Sequence, residues 1–286
     1  KELFTFVAQQ YKWVWKHFLL FCFFIFENRF CFLSWLASLF QSQLKHQKET
    51  IVFEQPQKTI DWELETIDVI IPTVGRKKYL YDVLKDLSGQ THLPKNVIIV
   101  EQNPNLDSDS ELDYLTTEQW PFQIKHVFTH QTGACQARNK ALDLLESNWC
   151  FFADDDIRFE QDFFKQALFE LIQNVVSVGV FSCLKANDKK YYFHLSQTTI
   201  FGSGCSICKT SVVKNMKFNL DLEFGFGEDT EYGLQIRNQG IDVFYVPYPE
   251  ILHLKAPIGG FRFKYIHPWE KELIQPKPSP TIMYVK

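Results

Sequence analysis

The 286-residue sequence predicts an α/β fold, a mostly parallel sheet flanked by helices and preceded by an apolar helical extension. Three observations predict it. Short β-branched or aromatic runs alternate with stretches of helical period, as strand–helix–strand units do. Each run ends in polar or charged residues, where ligands bind in sheets of this kind. The first 46 residues, rich in Phe, Leu and Trp, differ in character from everything after them.

Ile67-Asp68-Val69-Ile70-Ile71 reads as a buried strand closing on Pro72-Thr73-Val74-Gly75-Arg76. Lys77 to Leu87 follows as a helix, with Leu80, Val83, Leu84 and Leu87 at helical spacing. Asn96 to Val100 is a second strand and Ile124 to Phe128 a third. Gly133 turns into a helix that carries Arg138 one turn in, where free amides and a guanidinium suit an anion. The fourth strand, Trp149-Cys150-Phe151-Phe152-Ala153, stops at Asp154-Asp155-Asp156. Three adjacent carboxylates repel one another, so a cation is expected among them, and oxygen ligands suit Mg²⁺ or Mn²⁺. The competing reading is an exposed acidic turn in which Asp156 caps a helix starting near Phe159.

The second half is less regular. Strands are expected at Phe181 to Leu184, Tyr191 to Leu195 and Ile241 to Pro247, with a tight turn at Phe201 to Cys205. Two glycines, Gly225 and Gly227, precede an acidic helix start at Glu228-Asp229, read either as ordinary first-turn residues or as the home of a general base. His253 stands alone among apolar residues. Gly259-Gly260-Phe261-Arg262 reads as a flexible segment carrying a cation.

A net charge of -4 removes any basic excess for binding a polynucleotide. Seven cysteines without a cleavable signal pattern suggest reduced thiols in the cytoplasm. The close pair Cys205 and Cys208 lacks the second pair a zinc site would need. In the run from His17 to Phe40, Glu27 and Arg29 interrupt what would otherwise be a membrane span. Two shorter helices flanked by Lys12, Lys16, Lys45 and Lys48, and carrying Trp13, Trp15 and Trp35, fit an interfacial hairpin at the inner face of the cell membrane. Packing on protein, including a second copy of the chain in a homo-oligomer, is the alternative. The expected organisation is an extension over 1–46, a linker over 47–66, a main domain over 67–257 and a flexible C-terminal segment over 258–286.

Five segments in order carry a likeness: Val69 to Thr73, Ile98 to Asn103, Ala137 to Leu142, Phe152 to Asp156, and Gly227 to Tyr232 followed by Arg237. Together they resemble the family 2 glycosyltransferases, whose GT-A fold is a Rossmann-like α/β sheet, over about Ile67 to Lys255. The resemblance implies an inverting, Mn²⁺- or Mg²⁺-dependent hexosyl transfer from a nucleotide sugar, with a UDP-sugar as expected donor, to a hydroxyl of a glycan or lipid-linked saccharide. It implies that Thr73 and Glu101 face the nucleoside with Arg138 near the nucleotide, that Pro72 and Arg76 belong to the donor site, and that Arg262 closes over the diphosphate. Asp154 would contact ribose, Asp156 and His253 the metal, with Asp155 beside them. Asp229 matches the catalytic base, and Glu228 would raise its pKa or bind the acceptor. A catalytically degenerate domain that only binds a nucleotide sugar or a partner is the competing class.

Overall fold

The computed structural model describes residues 14–26, 30–41, 64–223 and 227–256, with Pro268–Lys271 and a few isolated positions besides. Contacts divide the chain into Lys1–Lys58 and Thr59–Lys286. The first unit holds α1 (Val14–Ile25) and α2 (Phe32–Gln41), joined where Trp35 Nε1 donates to His17 Nδ1 at 3.2 Å. At 12 residues the longer helix reaches roughly 18 Å against a hydrocarbon core of roughly 30 Å. No helix among the described residues is long and apolar enough to cross a membrane. The expected linker lies outside the described residues except for Leu64 to Thr66, as do Pro257 to His267.

The second unit is built on one nine-stranded sheet. Its strands are β1 (Ile67–Thr73), β2 (Asn96–Gln102), β3 (Gln123–Thr129), β4 (Trp149–Ala153), β5 (Ile157–Phe159), β6 (Val178–Leu184), β7 (Ser196–Gln197), β8 (Cys205–Lys209) and β9 (Phe244–His253). They lie in the order β3-β2-β1-β4-β8-β6-β9-β5, with β7 also on β9. The quartet β3-β2-β1-β4 is parallel throughout, as the alternating strand and helix pattern requires. Beyond it the expectation of a mostly parallel sheet needs correcting. β8 runs antiparallel between β4 and β6, and β5 and β7 run antiparallel to β9, so only β6 and β9 pair in parallel there.

The sheet is packed on both faces, and the period of two divides its side chains between them. Val69, Ile71, Val97, Ile99, Trp149 and Phe151 face a core closed by α3 (Lys77–Ser88) and α6 (Phe163–Gln173). Ile70, Ile98, Val100, Cys150 and Phe152 face the other way, toward α5 (Ala134–Leu142) and α8 (Glu228–Asn238). The short helices α4 (Tyr114–Thr117) and α7 (Thr210–Val213) fill the connections.

Three local expectations are overturned. Tyr191 to Leu195 forms no strand; Tyr191, Tyr192 and Phe193 are exposed, and the ladder to β9 begins only at Ser196. The segment after Asp156 is β5, not the start of a helix, because Ile157 pairs with His253; α6 starts only at Phe163. The strand expected at Ile241 to Pro247 begins at Phe244 and continues to His253. It runs through Pro247 and Pro249 where the β6 ladder shifts register between Phe181 and Cys183, a bulge at which missing N–H groups are tolerated.

Candidate active site

The carboxyl ends of β1 and β4 open into a cleft of about 400 Å³. It is lined by nearly all of the residues singled out from the sequence: Pro72, Thr73, Arg76, Arg138, the three aspartates, Glu228, Asp229 and His253. β4 delivers the aspartates because its apolar residues are held between β1 and β8, so the chain can leave the sheet only at Asp154. Gly204, facing Asp154 from the turn before β8, has to be glycine, since a Cβ there would fall inside the Asp154 carboxylate.

The three aspartates divide into different environments. Asp154 has a side chain 38% exposed to the cleft and accepts from the Arg138 guanidinium at 3.3 Å. Asp155 is 4% exposed, and both its oxygens are taken, one by the Thr73 hydroxyl at 2.7 Å and one by Arg76 at 2.6 Å. Burial pushes its carboxyl up to about 6, despite the Arg76 charge. Asp155, which also lines the cleft, ties β4 to β1 through Thr73 and Arg76. Asp156 is 3% exposed; its Oδ2 accepts from the Ala256 amide at 2.8 Å, and its Oδ1 lies 3.4 Å from His253 Nε2. Burial would raise Asp156, but His253, the Ala256 amide and Arg76 outweigh it and hold the carboxyl below its ordinary value. His253 is raised in turn, chiefly by its hydrogen bond to Asp156.

Each of Asp154, Asp156 and His253 presents one ligand atom within 4.8 Å of the others. Two carboxylate oxygens and an imidazole nitrogen, open on the cleft side, fit a divalent Mn²⁺ or Mg²⁺ that keeps positions for phosphate oxygens. Beside this cluster, bonded to Asp154, Arg138 is buried and its Nε has no hydrogen-bond partner among the described residues. A buried guanidinium with a free donor fits an anion entering the cleft.

Asp229 stands in the first turn of α8. Its backbone carbonyl accepts from the Phe201 amide at 3.1 Å and its Oδ1 from the Ser203 amide at 3.3 Å. Burial pushes its carboxyl up to about 6, Arg138 and Ser203 offset this only in part, and the neighbouring Glu228 charge adds to it. A carboxylate near neutrality with an open side is suited to taking a proton.

One expected residue is not brought to the cleft, and another lies outside the described residues. Glu101 is turned away: its oxygens accept from the Glu111 amide at 3.0 Å, from Ser110, and pair with His126 Nε2 at 2.9 Å. The next residue, Gln102, lines the cleft in its place, because neighbours on a strand point to opposite faces. The anion expected at the N-terminus of α5 is supplied by the chain itself: the amides of Cys135 and Gln136 donate to the Glu223 carboxylate. Arg262 lies outside the described residues. Sequence reasoning missed Gln102, Ser203 and Gly204 as cleft residues, although Gly202-Ser203-Gly204 was legible as a turn and the strand period could have flagged Gln102.

Comparison with known proteins agrees with this geometry. The model of the glycosyl transferase family 2 matches residues 68–228, more than half of the chain. A relative from Streptococcus pneumoniae, described as glycosyltransferase GlyA, is 26% identical over 134 residues, covering 46% of this chain and 19% of its own length. Among solved structures, S. aureus TarS superimposes with a TM-score of 0.55 at 18% identity, over 67% of this chain and 37% of TarS. TarS 1–349 in complex with UDP-GlcNAc gives 0.56 at 18% identity, over 71% of this chain and 62% of that one. The chain thus spans about a fifth of the length of its curated relative and between about a third and two thirds of the TarS chains, and the likeness to TarS is one of fold. With the family match running from the first strand through the start of α8, the chain belongs to glycosyl transferase family 2.

Proposed function

We propose that the protein is a metal-dependent, inverting glycosyltransferase that moves a sugar from a nucleotide-diphosphate donor to a hydroxyl acceptor. The observation carrying this reading is one cleft holding both halves of the chemistry, the Asp154–Asp156–His253 ligand set and Asp229, whose carboxyl burial raises toward neutrality. The donor is a UDP-sugar; the UDP-GlcNAc complex of TarS, on the same fold, supports this choice. Thr73, Pro72 and Gln102 line the nucleoside side, Arg138 takes an anionic oxygen, and Asp154 turns toward the ribose. Asp156 and His253 hold Mn²⁺ or Mg²⁺ together with Asp154. The bound ion supplies electrostatic stabilisation of the diphosphate as it leaves.

The acceptor oxygen attacks the anomeric carbon from the side of Asp229, and the bond to the diphosphate oxygen breaks with its electron pair. The acceptor proton passes to Asp229, which is the stronger a base for being raised toward neutrality. A single displacement inverts the anomeric centre. Glu228 keeps the Asp229 pKa high. The acceptor is a cell-surface glycan or lipid-linked saccharide, and the enzyme works at the inner face of the cell membrane. The apolar side chains left exposed on α1 and α2, Phe18, Phe21, Phe24 and Leu33 among them, support contact with a lipid surface.

Incubation of the purified chain with radiolabelled UDP-sugars, Mn²⁺ and a panel of glycan and lipid-linked acceptors tests the reading. Transfer that stops on removal of the metal and in Asp229→Ala is the expected result. UDP-sugar binding without transfer to any acceptor would favour a degenerate binding domain instead. Co-sedimentation with liposomes, with and without residues 1–46, tests the membrane contact. Self-association without lipid binding would reassign those helices to oligomer formation.

A further inference from the structure

The segment Lys217–Glu223 is fastened to α5 at two points. At one, Asn139 pairs both ways with the backbone of Phe218: its Nδ2 donates to the carbonyl at 2.9 Å and its Oδ1 accepts from the amide at 2.7 Å. At the other, the two oxygens of Glu223 accept the amides of Cys135 and Gln136, each at 2.8 Å. The fit leaves no room for a side chain at Gly133, which enters α5 at a φ of +147°, since a Cβ there would fall inside the Glu223 carboxyl. At the first fastening, the Phe218 ring stacks on Tyr232 with centroids 3.9 Å apart and planes 5° from parallel. Tyr232 is fully buried and lies three residues past Asp229 on α8. The same Phe218 ring lies 5.7 Å from the Arg138 guanidinium, which reaches Asp154.

A continuous set of contacts therefore runs from the donor-side residues Asp154 and Arg138, through Phe218, to the helix that carries Asp229. Aromatic stacking has broad sliding freedom in one plane, so it fixes a distance only if the segment bearing the ring is itself held. Asn139 and Glu223 hold it at both ends. Resting on the glycosyl-transfer reading above, we propose that Glu223 and Asn139 are positioning residues that set the general-base helix α8 against the donor-side helix α5. Neither touches substrate. Their work is to bring acceptor activation at Asp229 and donor orientation at Arg138 and Asp154 into one reactive geometry.

The test uses the full chain and two variants, Glu223→Gln and Asn139→Asp. Glutamine keeps the size of Glu223 but sets an amide donor against one of the two backbone N–H groups. Aspartate at 139 keeps the acceptor and loses the donor to Phe218. The kcat and donor KM of transfer are measured beside calorimetric binding of UDP with Mn²⁺ and the melting temperature. Since a displacement of about 1 Å costs about 10²-fold, kcat should fall about 10- to 100-fold in each variant. UDP affinity should stay within about twofold, as expected for an interaction realised only in the transition state. Unchanged kcat in both variants overturns the proposal. So does a parallel loss of kcat, UDP binding and melting temperature, which marks a purely structural role. If Glu223→Gln fails to fold, the half-buried Asn139→Asp decides by the same criteria. A wild-type chain that neither transfers sugar nor binds UDP overturns the glycosyltransferase reading and the positioning role with it. A fully active wild type with unaffected variants removes the positioning role alone.

Discussion

Asp156 and Asp229 line the same cleft, both pushed upward by burial, yet they end with opposite preferences for a proton. Asp156 hangs from a strand end where an imidazole, a backbone amide and a guanidinium converge on it, and the partners win over burial. Asp229 sits at a helix start with one amide on its carboxylate, a more distant Arg138 and a repelling Glu228, and burial wins. The contrast shows burial and donors acting together: where an imidazole, an amide and a guanidinium converge the anion is held, and where the donors fall short burial wins.

The sharpest way to break the contrast is to remove the base. Asp229→Ala should lower transfer by about 10²- to 10⁴-fold, the usual contribution of a general base, while UDP binding measured by calorimetry stays near wild type. Asp156→Ala should do the reverse in the binding assay. With a ligand of the cation deleted, Mn²⁺-dependent UDP affinity should fall by about 10²-fold, reflecting the several kcal/mol a metal contributes to holding phosphate charge. Equal UDP affinity with and without Asp156 would contradict the ligand assignment.

The third prediction concerns stability. Asp229 is raised from an ordinary value of 3.8 to about 6, so the folded state binds its proton more tightly than the unfolded state does. Below pH 4 both states are protonated and the shift costs nothing. As pH rises through the window from 4 to 6, stability is lost, and above 6 the full cost remains. Asp229→Asn keeps the acceptor for Ser203 without the charge. It should therefore be more stable than wild type by about 1–2 kcal/mol at pH 7.5, with the advantage vanishing near pH 4 in urea unfolding. The smallest effect is the pH profile of the wild type: kcat/KM should climb about tenfold per pH unit below pH 6 and level off above it. A limb that persists in Asp229→Asn would assign the titration to another group.

Three strands of the parallel quartet, β1, β2 and β4, were legible because their residues are nearly all buried, so Val97–Val100 and Trp149–Ala153 appear as uninterrupted apolar runs. The antiparallel half was harder. β5 has three residues and β7 two, below any usable period, and their pairing depends on β9, which arrives about a hundred residues later. Tyr191 to Leu195 looked like a strand because aromatic residues favour strands, yet no partner strand covers them. In the site, residue types announced themselves where charge was crowded, at Asp154–Asp156 and at Glu228-Asp229. A carboxylate at a strand end such as Glu101 reads the same from either face, and only the structure shows it bonded to His126 and Ser110. Glu223 gave no signal, since its partners are backbone amides that leave no trace in side-chain chemistry.

The pairing of Ile157 with His253 has a consequence for how such a chain can diverge. Asp156 and its imidazole neighbour are brought together by strand register, with the Leu254 amide closing on the Asp156 carbonyl at 2.9 Å. A slip of one residue would turn His253 to the opposite face. The ligand set is therefore digital: it survives any change in the length of the connections between β5 and β9 but no insertion within the three paired positions. The connecting loops are free to be rewritten, while three rungs of a ladder keep Asp156 and His253 side by side.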